Sequence, residues 1–156
     1  MGLPEGPEGL RLRAEEQALL QEELQRLQAQ ASQAAAMELA PLVEAVGRGE
    51  VSGDLLPSLQ YLLWHLLESG LARALHRAEG ERILMGLFRR TEVGQNIAQE
   101  LESLNKALGA MRGQTVQAIQ ASMRLPGTYL IHIETEEMDL TLVVSREGVR
   151  LESVGV

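Results

Sequence analysis

Three histidines, His65, His76 and His132, are the side chains of this 156-residue chain best suited to move protons or bind metal near neutral pH. A zinc or iron site takes ligands at i, i+3 or i+4 of one helix, or gathers them across strands. His65 and His76 are separated by Gly70, and neither starts a His-Glu-x-x-His pattern. The spacing predicts one partly buried and one exposed helix histidine, with His132 on a strand. No catalytic residue, metal ligand or cofactor site is expected among them.

Carboxylates gather at Glu134, Glu136, Glu137 and Asp139. Oxygen ligands of this kind could hold Ca²⁺ or Mg²⁺, but the group lacks the glycine and regular spacing of an EF-hand loop. It reads as a solvated hairpin whose charges keep a sheet edge soluble. No serine sits in Gly-x-Ser-x-Gly. Gly47-Arg48-Gly49 lacks the third glycine and the preceding strand of a phosphate loop. Arg89-Arg90, following Leu87-Phe88, reads as a helix edge whose guanidinium groups reach water. With no cysteine, disulfides, thiolate metal sites and cysteine nucleophiles are all excluded. These absences point to a protein that is not an enzyme and carries no cofactor.

Composition narrows the partners. Net charge is −8, and residues 1–50 alone carry nine Glu against four Arg. Such a chain is repelled by phosphate backbones and anionic lipid. Aromatic residues make up 3%, too few for base- or sugar-stacking platforms. Neither nucleic-acid binding nor membrane insertion is expected, and residues 1–6 do not form a signal peptide. The expected compartment is the cytoplasm. Arginine outnumbers lysine, with Lys106 the single lysine, which fits a GC-rich bacterial coding sequence.

The elements that would position these side chains follow from hydrophobic rhythm. Residues 1–9 hold Gly2, Pro4, Gly6, Pro7 and Gly9, and read as a disordered arm. Residues 10–39 contain neither Gly nor Pro and are rich in Ala, Gln, Glu and Leu, which predicts an amphipathic, coiled-coil-like helix. Leu20, Leu24 and Leu27 lie on its apolar seam, which thins to Ala31 and Ala34. Asp54 is a candidate N-cap for a helix ending near Gly70, apolar nearly all round. It carries Trp64, expected at the centre of the core. A further helical stretch breaks near Gly80. Thr91 then caps a helix in which Ile97, Leu101, Leu104, Leu108 and Met111 form a second, stronger seam.

Pro126-Gly127 is read as the end of that helix. Beyond it, apolar residues alternate at Tyr129, Ile131 and Ile133, then Leu140, Leu142 and Val144. The pattern predicts strands near 128–135, 138–144 and 149–154. The expected fold is α+β: a mostly helical bundle with an N-terminal helical arm and a C-terminal three-stranded antiparallel β-meander over 127–156. Residues 40–156 are expected to make one domain. The two seams make Leu20, Leu24, Leu27, Ile97, Leu101, Leu104, Leu108 and Met111 candidate interface residues. The expected function is that of a self-associating adaptor or assembly protein, a homodimer or higher, which binds another protein through helix faces. Two alternatives remain open: an export or folding chaperone holding an apolar client segment, and a small-molecule sensor or enzyme with its site between helices and sheet.

Overall fold

The computed structural model describes residues 9–156, so the N-terminal arm read over 1–9 lies almost wholly outside the described residues. The chain is α+β and divides into two compact units, one ending at Gly94 and the other spanning Gln95–Val156. The division falls inside the stretch read above as a single domain.

The first unit is helical. α1 (Ala14–Gln30) opens on a capping box in which the Glu16 carboxylate accepts the Arg13 backbone N–H at 2.8 Å. The Gly- and Pro-free stretch does not run on as one helix. Ala31 adopts an extended conformation, and the Ser32 hydroxyl accepts the Ala35 N–H at 3.3 Å, starting α2 (Gln33–Arg48). A serine that satisfies an orphan amide favours a new helix start over continuation. α2 ends at Gly49, whose φ of +78° suits the left-handed terminus. Beside that end, β1 (Leu10–Arg11) pairs antiparallel with β2 (Glu50–Val51).

A single 3-10 turn, Gly53–Leu55, leads into α3 (Leu56–Glu68), with Pro57 in the first turn, where its missing N–H costs nothing. The cap expected of Asp54 is not made; Ser52 donates to Asp54 at 2.5 Å and the helix begins later. Gly70, at φ +77°, separates α3 from α4 (Leu71–Arg90). Leu20 and Leu24 of α1, Leu42 and Val46 of α2, Leu59, Leu63 and Leu66 of α3, and Leu84 and Leu87 of α4 form the core of this unit. Trp64 is not at its centre. It is half-buried and meets Phe88 edge-on, with ring centroids 5.9 Å apart. The leucines on either side of it in α3 take the central positions instead.

The second unit is a helix against a sheet. α5 (Glu92–Ala110) begins under Thr91, whose hydroxyl accepts the Gly94 N–H at 3.2 Å. The sheet has four strands rather than the expected three: β3 (Val116–Leu125), β4 (Thr128–Thr135), β5 (Asp139–Ser145) and β6 (Gly148–Gly155), antiparallel and in sequential order. Pro126-Gly127 does not end a helix. It is the hairpin turn between β3 and β4, with Gly127 at φ +83°. The strands read near 138–144 and 149–154 correspond to β5 and β6.

Register sorts the sheet into two faces. Ile119, Ala121 and Met123 of β3 oppose Ile133, Ile131 and Tyr129 of β4. Those oppose Leu140, Leu142 and Val144 of β5, and Leu142 and Val144 in turn oppose Leu151 and Val149 of β6. Leu104 of α5 is buried against Leu140 and Leu142 on this face, with Ala107 and Met111 packed beside it. The opposite face presents Gln120, His132 and Thr141. Arg124 of β3 also reaches Glu152 of β6 at 2.9 Å, so the sheet curls enough to join its two edge strands.

Candidate functional site

The first place where chemistry-bearing residues converge is a buried carboxylate pair on α1. Glu16 and Glu23 are two turns apart, on the face that also carries Leu20 and Leu24, and each is 1% exposed. Glu16 accepts from Arg13 N–H and from the Arg90 guanidinium, whose other arm donates to the Arg11 carbonyl at 3.0 Å. Glu23 faces His76 Nε2 at 2.6 Å and the Arg26 guanidinium, and Glu22 stands 4.0 Å from the other ring nitrogen. α4 can deliver His76 there because of two local features, a kink and a missing side chain. Arg77 takes φ +60° and kinks the helix. Gly80 also lacks the Cβ that would sit 2.1 Å from the His76 Cβ.

A carboxylate that orients an imidazole is half of a general-base arrangement. Here the ring is 6% exposed and both its nitrogens face carboxylates, so the arrangement is suited to holding α4 on α1. Arg90 is thus not the water-facing edge that the Arg89-Arg90 pair suggested. His65 is exposed on α3, and His132 meets Thr141 across β4 and β5 at 3.0 Å. The hairpin carboxylates remain spread: Glu134 and Asp139 face each other across the strands, while Glu136 and Glu137 project outward. Among the described residues, no three His, Asp or Glu side chains gather closely enough to hold a metal ion. On the surface of α4, the Arg82 guanidinium holds the Glu79 carboxyl below its ordinary range through a 2.6 Å hydrogen bond.

The second place is a groove between α2 and α3 of about 560 Å³. It is walled by Leu39, Leu42, Leu55 and Leu62, with Glu38 and His65 at its rim. Tyr61 lines it and is largely exposed.

The third is the exposed side of the second unit. Of the interface candidates, Leu20 and Leu24 are fully buried inside the first unit and Leu27 is half-buried. The α5 seam divides differently. Leu104 is buried on the sheet and Ile97 and Met111 are half-buried, whereas Leu101 and Leu108 are 42% and 36% exposed. Asn96, Gln99, Glu100 and Ser103 line the flank of α5 beside Arg150 and Leu151 of β6. At 100° per residue, Leu101 and Leu108 therefore lie on the other flank, toward β3. On that side Ile119 and Met123 are each 63% exposed, and Tyr129 and Val116 are exposed too.

No protein-family model, curated protein or solved structure matches this chain.

Sequence reasoning passed over Glu16 and Glu23, which read as solvated members of a Glu-rich helix. Their signal was positional: both share a helix face with buried leucines. It also passed over β3, which carries the exposed apolar residues Val116, Ile119, Met123 and Leu125.

Proposed function

We propose that this protein is a self-associating adaptor or assembly protein of the cytoplasm, without catalytic activity, which joins copies of itself and presents them to another protein. The observation that carries this reading is the α5–β3 side of the second unit. Ile119 and Met123 stand largely in water, and Leu101 and Leu108 are partly exposed beside them. Exposed apolar side chains gathered on one side of a folded unit mark an interaction site. The expectation of an interface along a helix seam is kept for α5 and withdrawn for α1, where Leu20 and Leu24 are buried inside the unit. No described helix is long and apolar enough to cross a membrane.

Sedimentation velocity across a range from nanomolar to tens of micromolar tests the reading. A mass that rises from 17.1 kDa to twice that or more is expected. A protein that remains a folded monomer throughout would remove it.

The α2–α3 groove favours a second reading, a chaperone holding an apolar client segment. Its leucine walls fit a short apolar helix or strand. The two readings are separated by Tyr61→Arg, at a groove position that is exposed rather than in the core, which would weaken client binding while leaving self-association intact.

A further inference from the structure

The geometry points to β3 as the joining edge: two copies pair their β3 strands antiparallel about a two-fold axis through Ala121, making one continuous eight-stranded sheet. This rests on the self-association proposed above and names its surface and its register.

The two edges of the sheet are not equivalent. β6 carries Arg150 and Glu152 and has a register shift opposite Thr141 and Leu142. Charges and bulges of this kind blunt an edge. β3 is ten residues long and almost wholly exposed. Its irregularities fall near its ends, between Val116 and Ala118 and between Met123 and Leu125, leaving 118–123 regular. It contains no proline, and its one charged residue, Arg124, is engaged by Glu152.

Charge favours the same place. Copies of net charge −8 repel one another over most of their surface. Residues 103–133 contain no Asp or Glu, and carry Lys106, Arg112 and Arg124. β3 is thus where two acidic copies approach with least repulsion.

The sequence of β3 matches itself in one register particularly well. Because a normal two-fold axis keeps each sheet face continuous, paired residues must lie on the same face. Centring on Ala121 sets Ile119 against the second copy's Met123, twice, with two small alanines on the axis, and puts Arg124 opposite Ala118. Apolar cross-strand pairs of this type are the unit that stabilises a sheet. At about 200 Å² for a large side chain, Val116, Ile119, Met123, Tyr129, Leu101 and Leu108 together expose on the order of 600 Å². The strand's backbone and polar side chains bring the surface toward the roughly 800 Å² per partner of a standard interface.

The absence of cysteine makes the test direct. In an antiparallel pair, the two copies of an axial residue have Cα atoms about 4.5–5.5 Å apart, within disulfide range. Ala121→Cys is expected to give a disulfide-linked dimer under mild oxidation, and Ser153→Cys, on β6, a monomer. Two further variants read the register: Ile119→Lys with Met123→Glu sets opposite charges across the axis, and Ile119→Lys with Met123→Lys sets like charges. Both remove the same apolar surface from positions exposed in the single copy. The opposite-charge variant should dimerise at least about tenfold more tightly. Linkage through Ser153→Cys and not Ala121→Cys would overturn the β3 assignment. A dimer in sedimentation that neither cysteine links would overturn it too, leaving self-association standing. A folded monomer at every concentration would remove both.

Discussion

Glu23 shows how a charge is kept inside this protein. A carboxylate at 1% exposure is stable only when its lone pairs are occupied, and His76 and Arg26 occupy them. Removing one member of such a cluster strands the others, which costs more than the cluster contributes. Glu23→Ala is therefore expected to cost about 3–5 kcal/mol in urea unfolding. Replacing the pair together, Glu23→Leu with His76→Leu, should cost clearly less than the two single substitutions added. Strict additivity in that cycle would mean that Glu23 and His76 do not act as a pair. The same reasoning explains why Glu16 and Glu23 were hard to see in the sequence. Composition treats every Glu alike, and only a partner from a distant helix, Arg90 or His76, makes burial affordable.

At the scale of elements, the helices and the last three strands were legible and β3 was not. The alternation Tyr129, Ile131, Ile133 uses residues that favour strands, so periodicity and propensity agree there. In β3 the alternation Ile119, Ala121, Met123 is also present. However, Gln, Ala, Met, Arg and Leu around it are good helix formers, and the segment follows a strong helical seam. Hydrogen bonding to β4 decides the outcome, and no local rule carries that information. The α1–α2 break was missed for a related reason, since one serine cap outweighs a run of favourable propensities. Of the candidate site, the α5 seam was visible, but which half of it faces water depended on the unseen strand. The helix break expected near Gly80 falls at Arg77, and Gly80 serves another purpose. Gly→Ala within a helix ordinarily stabilises by about 1 kcal/mol. Here the new Cβ would stand 2.1 Å from the His76 Cβ. Gly80→Ala should instead destabilise the protein and displace the His76 ring from Glu23. A shift in the denaturation midpoint would record the first, and a change in the imidazole NMR signals the second. A rise in stability would show that the ring does not need that space.

For the whole molecule, the decisive feature is that each compact unit has a core of its own. Leu59, Leu63 and Leu66 lie in the first, and Leu104, Leu140 and Leu142 in the second. Cooperative opening follows shared packing, so two separate cores should open as two units, each with its own free energy. Truncating a fully buried leucine costs about 2–5 kcal/mol through lost transfer energy and the cavity left behind. Leu63→Ala should therefore speed amide hydrogen exchange throughout α1, α3 and α4 and leave β4 and β5 protected as before. Leu140→Ala should do the reverse, exposing β4 and β5 while the first unit is unchanged. The second substitution carries a further consequence if β3 is the joining edge. Loosening the sheet that holds β3 in register should weaken self-association, and Leu63→Ala should not. Exchange that rises across both units after either substitution would mean that the chain unfolds as one body, and the division at Gly94 would then be one of packing density alone.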